Sequence, residues 1–248
     1  MLLFLLCALA PAQASASTVA EAYPPPFGAE RIPGDEFGTW LGQLRLAPPE
    51  QPVRTWSGQV VPQDARVIDL PLVPGDLQQC ADTIIRLRAE WLREQGRTIS
   101  FKATSGDDIP WSRWIQGERP RAEGRGLQWS SGGARGDSPE SWERYLAAVF
   151  TWAGTRSLSA YETVPVEAPR PGDVIVQGGS PGHAVVVLDA ARSPQGEVLL
   201  LIGEGFMPAQ NAHVQHGPEQ GWWTWDPQHG LALPYWPLPA SALRRFKD

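Results

Sequence analysis

Apolar residues recur along the chain at two spacings, one helical and one alternating or continuous. Leu77, Cys80, Ala81, Ile84, Leu87 and Trp91 follow the helical period, after Pro74-Gly75-Asp76 and before Gly96. This predicts an amphipathic helix that opens beside Asp76 and closes at Gly96. Asp76, with Gln79 three residues on, has the pattern of a capping box. A second helix is predicted from Ser138-Pro139, an N-cap followed by Pro at the first helical position, through Tyr145, Leu146, Val149 and Phe150 to Gly154. Runs dense in Val, Ile and Leu at 67–72, 174–177, 183–189 and 198–202 predict strands, with Ser193-Pro194-Gln195-Gly196 turning between the last two. Residues 17–60 are rich in Pro and Gly and read as an irregular arm with a short segment at 37–46. Residues 97–137 carry Trp111, Trp114 and Trp129 with little periodicity and read as an aromatic-rich insertion. The Trp- and Pro-rich tail after Gly221 is expected to wrap the core. The class expected is α+β.

The first 16 residues change the picture of where the chain works. A short apolar run at 2–10 and Ala14-Ser15-Ala16 have the form of a secretory signal peptide. The run falls short of the about 20 residues needed to span a bilayer, and no later stretch is apolar enough to do so. Cys7 lacks the small residue before it that a lipoprotein signal wants, so the expectation is a secreted or periplasmic protein. Removal of the leader leaves Cys80 as the single thiol, unable to form an internal disulfide, in a compartment where thiols oxidise readily. Such a Cys is either buried and inert or kept for its reactivity. A net charge of −6 argues against nucleic acid as the main partner.

A Cys nucleophile needs a base and a third group to orient that base. Cys80 falls in the first turn of its helix, where unpaired N–H groups and the helix dipole favour a thiolate. It also lies on the apolar stripe, so a plain core role competes. His183 follows Ser180-Pro181-Gly182 and opens the run Ala184-Val185-Val186-Val187-Leu188. If the turn is centred on 193–195, antiparallel pairing sets His183 opposite residues 203–207. Glu204 can then accept a hydrogen bond from its ring, with Asn211 and Gln210 in reserve. The Cys80 N–H is the first oxyanion donor, and Gln78 or Gln79 the second.

The order of a Cys-bearing helix, then Pro171-Gly172-Asp173-Val174-Ile175-Val176, then Gly182-His183-Ala184-Val185-Val186-Val187, resembles the papain-like amidase superfamily that includes the NlpC/P60 and CHAP domains. That resemblance covers about residues 67–95 and 165–212. Leu77-Gln78-Gln79-Cys80-Ala81-Asp82, Gln177-Gly178-Gly179-Ser180-Pro181-Gly182-His183-Ala184-Val185 and Phe206-Met207-Pro208-Ala209-Gln210 resemble, more closely, a bacterial exported family defined only as domain of unknown function 4846. The resemblance implies a papain-like α+β fold with the Cys80 helix packed on an antiparallel sheet. Residues 61–248 would then form one domain with an insertion at about 97–160. It also implies a Cys80-His183-Glu204 hydrolase of amide bonds, with Gln79, Gln78, Ser180, Gly182 and Gln210 at the oxyanion or substrate site. Cell-wall peptide is the expected substrate, with no cofactor. The chain departs from the papain pattern at Pro74, where a Gln would stand, and in the wide separation of Cys80 from His183.

Three other readings compete. Gly178-Gly179-Ser180-Pro181-Gly182 matches G-x-S-x-G, but Pro181 has no N–H for an oxyanion hole and a strand follows, not a helix. The four histidines, 183, 213, 216 and 229, include a pair three apart, but without a Cys pair or H-E-x-x-H no metal is expected. The rival from another class is an inactive carbohydrate- or peptidoglycan-binding protein using Trp111, Trp114, Trp129, Trp222, Trp223 and Trp225.

Overall fold

A computed structural model describes residues 17–247, so the expected signal peptide at 1–16 lies outside the described residues. In chain order it contains α1 (Val19–Ala22), β1 (Glu30–Arg31), α2 (Glu36–Gly42), β2 (Ala65–Val67), α3 (Cys80–Glu94), β3 (Ser100–Lys102), β4 (Asp108–Pro110) and α4 (Trp111–Ile115). Then come β5 (Glu118–Glu123), β6 (Gly126–Ser131), α5 (Pro139–Trp152), α6 (Thr155–Ser157), β7 (Thr163–Pro165), β8 (Val174–Gln177), β9 (His183–Arg192), β10 (Val198–Glu204), β11 (His213–Gln215), β12 (Trp223–Trp225) and β13 (Leu243–Phe246). One sheet takes nine of the strands in the order β2-β11-β10-β9-β8-β13-β7, with β1 on β9 and β12 on β10. Its ladders are antiparallel, and β3-β4 and β5-β6 are separate hairpins. The protein is therefore α+β.

The continuous apolar runs of β9 and β10 follow from burial on both faces. Ala184, Val186, Leu188, Leu199 and Leu201 share one core with Ile84, Ile85 and Leu87 of α3. The alternate residues Val185, Val187, Leu200 and Ile202 share a second core with Trp223, Trp225, Leu231, Leu233 and Leu238 of the C-terminal tail. The tail thus covers the face opposite α3. The Pro171-Gly172-Asp173 turn is anchored by Asp173, which is fully buried and takes both Nε (2.6 Å) and Nη2 (2.9 Å) of Arg245 on β13.

Four expectations change. The 67–72 strand is instead Ala65–Val67, with Ile68 in an isolated bridge to Leu46. Helix α3 starts at Cys80, not beside Asp76. The Asp76 carboxylate accepts the Ala209 N–H (2.6 Å), a tertiary use that removes it from capping. Gln79 is the N-cap instead, its N–H donating to Asp82 Oδ2 (3.1 Å). Residues 17–60 are not an irregular arm throughout, because α1 and α2 place Val19, Phe37 and Leu41 in the α3-side core and β1 pairs with β9. Lastly, the stretch 97–137 is built from two hairpins and α4. Trp111, Trp114, Trp142 and Tyr145 pack ring on ring, with centroids 5.0–5.8 Å apart, and brace α4 against α5. Ser138 caps α5 as the sequence predicts, accepting the Ser141 N–H (3.2 Å).

Candidate active site

The site gathers where β9 begins and β10 ends. The β9–β10 ladder ends at Gly203↔Val186. Val187 sends its N–H to Asp173 on the β8 edge, so by alternation the Ala184 N–H points toward β10. There it comes beside the Cys80 thiol, whose ionisation the N–H groups of Ala81 and Ala184 favour. Gly205 carries β10 out of the sheet against the first turn of α3. A Cβ on it would lie 2.2 Å from Thr83 Oγ1 and 3.2 Å from the Gln79 carbonyl, so the close approach requires glycine.

Cys80 is the first helical residue, and the first intrahelical bond is Thr83 N–H to the Gln79 carbonyl. The Cys80 N–H therefore has no intrahelical partner. The expected thiolate is not present at rest. Burial, then the Asp82 carboxylate, push the thiol up to about 11 against the two N–H groups that favour ionisation. Asp82 itself is pushed up to about 7 by burial, and its Oδ1 is buried with no hydrogen-bond partner.

His183 faces the other side of the sheet. Its ring packs on Phe206 (5.3 Å), Trp236 (5.6 Å) and Tyr235 (6.0 Å). Nε2 is joined to Glu204 Oε2 at 3.1 Å, as the sequence anticipates, although the register makes the two residues diagonal and not directly opposed. The residue opposite Glu204 is His213 on β11. Thiol and imidazole thus lie on the two sides of one strand end, and neither His183 nor Glu204 lines the cleft to which Cys80 opens. Among the described residues no hydrogen bond joins them, and His183 Nδ1 is unbonded.

Glu204 is 2% exposed yet ionised. Burial pushes its carboxyl up, but hydrogen bonds from His183 and Tyr235, with the His213 ring beside it, outweigh that and hold it at about 2. His213 and Tyr235 are absent from the sequence reading of the site. Alternation of β10 with a paired strand could have pointed to His213, whereas nothing local marks Tyr235.

A cleft of about 430 Å³ lies beside the thiol, lined by Gln79, Cys80, Asp82, Ser180, Gly182 and Met207 among others. Gln79, Ser180 and Gly182 are therefore at the cleft, where the sequence expects them. Gly182 admits the loop because a Cβ there would lie 2.5 Å from Thr155 Oγ1. Gln78 is not at the cleft. Its side chain is fully buried, with Oε1 accepting Arg86 Nη1 (2.7 Å) and Nε2 buried without a partner, and this burial away from the cleft keeps it from an oxyanion there. Gln210 is likewise buried, at a bridge to Thr55, and Asn211 Oδ1 accepts the Arg54 N–H, so neither reserve serves His183. Among the described residues no group of three or more His, Cys, Asp or Glu side chains is placed to hold a metal ion. None of their helices is long and apolar enough to cross a membrane. Of the Trp residues that the binding reading names, Trp114, Trp222, Trp223 and Trp225 are buried in the cores, while Trp111 and Trp129 are partly exposed.

Fold and site together define an α+β protein with a mostly antiparallel sheet, a Cys at a cleft and a buried His–Glu pair at the end of the same strands. The family model described as domain of unknown function (4846) matches residues 19–245, and the chain belongs to that family. No curated protein and no solved structure matches it.

Proposed function

We propose that this is an exported cysteine-dependent amidase or peptidase with a papain-like site, acting on a short peptide such as those of the cell wall. One observation carries the reading. The Cys80 thiol, at the N-terminus of α3 and open to a cleft, lies beside the N–H of Ala184, the residue that follows a Glu204-bound His183. Nδ1 of His183 is the nitrogen left to act as base, once the ring turns toward the cleft that it does not line at rest. Catalytic hydrogen bonds commonly tighten only once substrate is bound. The leader-like first 16 residues support export, and the cleft volume suits a small peptide.

The thiol adds to the scissile carbonyl carbon as His183 takes its proton, forming a C–S bond and an oxyanion. The Cys80 N–H and the Gln79 side-chain amide are the donors beside that oxygen. Collapse breaks the C–N bond, and the amine leaves with the proton from His183. Water then adds to the thioester, giving a proton to His183. A carboxylic acid departs and the thiol is restored. Because Cys80 rests as a thiol, proton transfer accompanies attack instead of preceding it.

The test is an acyl-trapping experiment. Purified protein is mixed with cell-wall peptides and reporter esters, and intact-mass spectrometry looks for an acyl group on Cys80. Wild type should carry it, while Cys80→Ala and His183→Ala should not, with a loss on the order of a hundredfold or more for His183→Ala. Equal acylation in wild type and His183→Ala would discard the mechanism.

A further inference from the structure

We propose that His213 and Tyr235 are positioning residues that lock the Glu204 carboxylate so that one oxygen serves His183. The inference deepens the hydrolase reading and rests on it for its catalytic consequence. The two oxygens of Glu204 are used differently. Oε2 meets His183 Nε2 at 3.1 Å, whereas Oε1 accepts the Tyr235 hydroxyl at 2.5 Å and faces His213 Nε2 at 3.4 Å. A carboxylate held by one atom turns about its last torsion. The Tyr235 hydroxyl of the C-terminal tail donates to Oε1 and the His213 ring of β11 lies against the same oxygen, so two separate elements fix its plane.

The clamp is itself held. His213 Nδ1 lies 2.8 Å from the Asn211 carbonyl, which only accepts, so that nitrogen carries a hydrogen. Nε2 then accepts the Gln63 side-chain amide N–H at 3.0 Å, so toward Glu204 the ring is a buried wall and not a second donor. His213 is fully buried and directly opposite Glu204 in the ladder, so it has no second place to go. Tyr235 stacks edge-on against both Phe206 (5.4 Å) and His183 (6.0 Å), so its ring confines the imidazole that its hydroxyl helps to orient. The tail therefore completes the site.

The experiment uses the mature chain with nitrogen-15-labelled histidine. The His183 Nε2 proton, shielded and bound to Glu204, should give a slowly exchanging NMR signal that Glu204→Gln moves or removes. Tyr235→Phe and His213→Gln should each shift or broaden it while circular dichroism stays native. A signal unchanged in both variants would overturn the clamp. The kinetic arm is acylation of Cys80, expected to slow about ten- to a hundredfold in Tyr235→Phe. Combining Tyr235→Phe with Glu204→Ala should add nothing to the loss in Glu204→Ala, because the tyrosine acts through the glutamate. If His183→Ala acylates normally, the hydrolase reading fails. If His183→Ala and Glu204→Ala are inactive but folded Tyr235→Phe and His213→Gln match wild type, the clamp alone fails.

Discussion

Replacing Asp82 by Asn tests why Cys80 rests as a thiol. A Cys thiol held at about 11, against an ordinary value near 9, carries about 3 kcal/mol against ionisation. At pH 8 this lowers the thiolate fraction about a hundredfold, to roughly one molecule in a thousand. Burial is the larger cause and the Asp82 charge the next. Asp82→Asn keeps the shape of the N3 side chain, removes the charge and leaves the burial. The midpoint should then fall without reaching that of a free thiol. Alkylation by iodoacetamide, followed by intact mass from pH 6 to 11, reads the midpoint directly. Wild type should be slow at pH 8 and Asp82→Asn faster. His183→Ala should leave the resting midpoint in place, because no hydrogen bond joins that ring to the sulfur. A wild-type midpoint at or below about 8.5, or no response to Asp82→Asn, would refute the reasoning. A midpoint raised by His183→Ala would show that ring and thiol already share a proton at rest.

Further outcomes follow from the same geometry. The Glu204 carboxyl is depressed to about 2, so its stabilisation is present above its ordinary value near 4.5 and lost as pH falls toward 2. Denaturant titrations from pH 5 to 2 should show about 3 kcal/mol more loss in wild type than in Glu204→Gln. Asp82 is raised to about 7, so its contribution has the opposite sign, present below pH 4 and lost as pH rises through 7. Asp82→Asn should flatten stability between about pH 4 and 7 in denaturant titrations extended over that range. Gly205→Ala should cost about 1–3 kcal/mol through its collision with Thr83, and adding Thr83→Ala should recover part of that in a double-mutant cycle. Trp142→Ala should cost about 3–5 kcal/mol in chemical denaturation, since its ring packs on Trp111 and Tyr145 in the core. A loss below about 1 kcal/mol would contradict that packing.

Much of the strand framework was legible in the chain. Val174–Gln177 matches its apolar run, and β9 and β10 extend theirs, because strands buried on both faces leave unbroken Val, Ile and Leu. The nearness of His183 and Glu204 was legible for a related reason. The tight turn at 193–196 brings the two strand ends together, but the register shift between Leu201 and Ile202, which no local pattern marks, is what puts both side chains on one face. Cys80 in a first helical turn could also be read from local spacing.

What escaped the sequence depends on groups far apart along it. The helix start moved because Asp76 spends its carboxylate on Ala209, and Gln78 left the cleft because Arg86 holds it inside. The state of the thiol was misread for the same reason. A helix N-terminus favours a thiolate, but burial and the Asp82 charge, set by how α3 lies on the sheet, outweigh it. Residue types and periodicity determine which elements form and which side chains a short turn brings together. Desolvation, long-range hydrogen bonds and the placing of the tail over His183 exist only once the layers have packed, and these decide what the Cys, His and Glu can do.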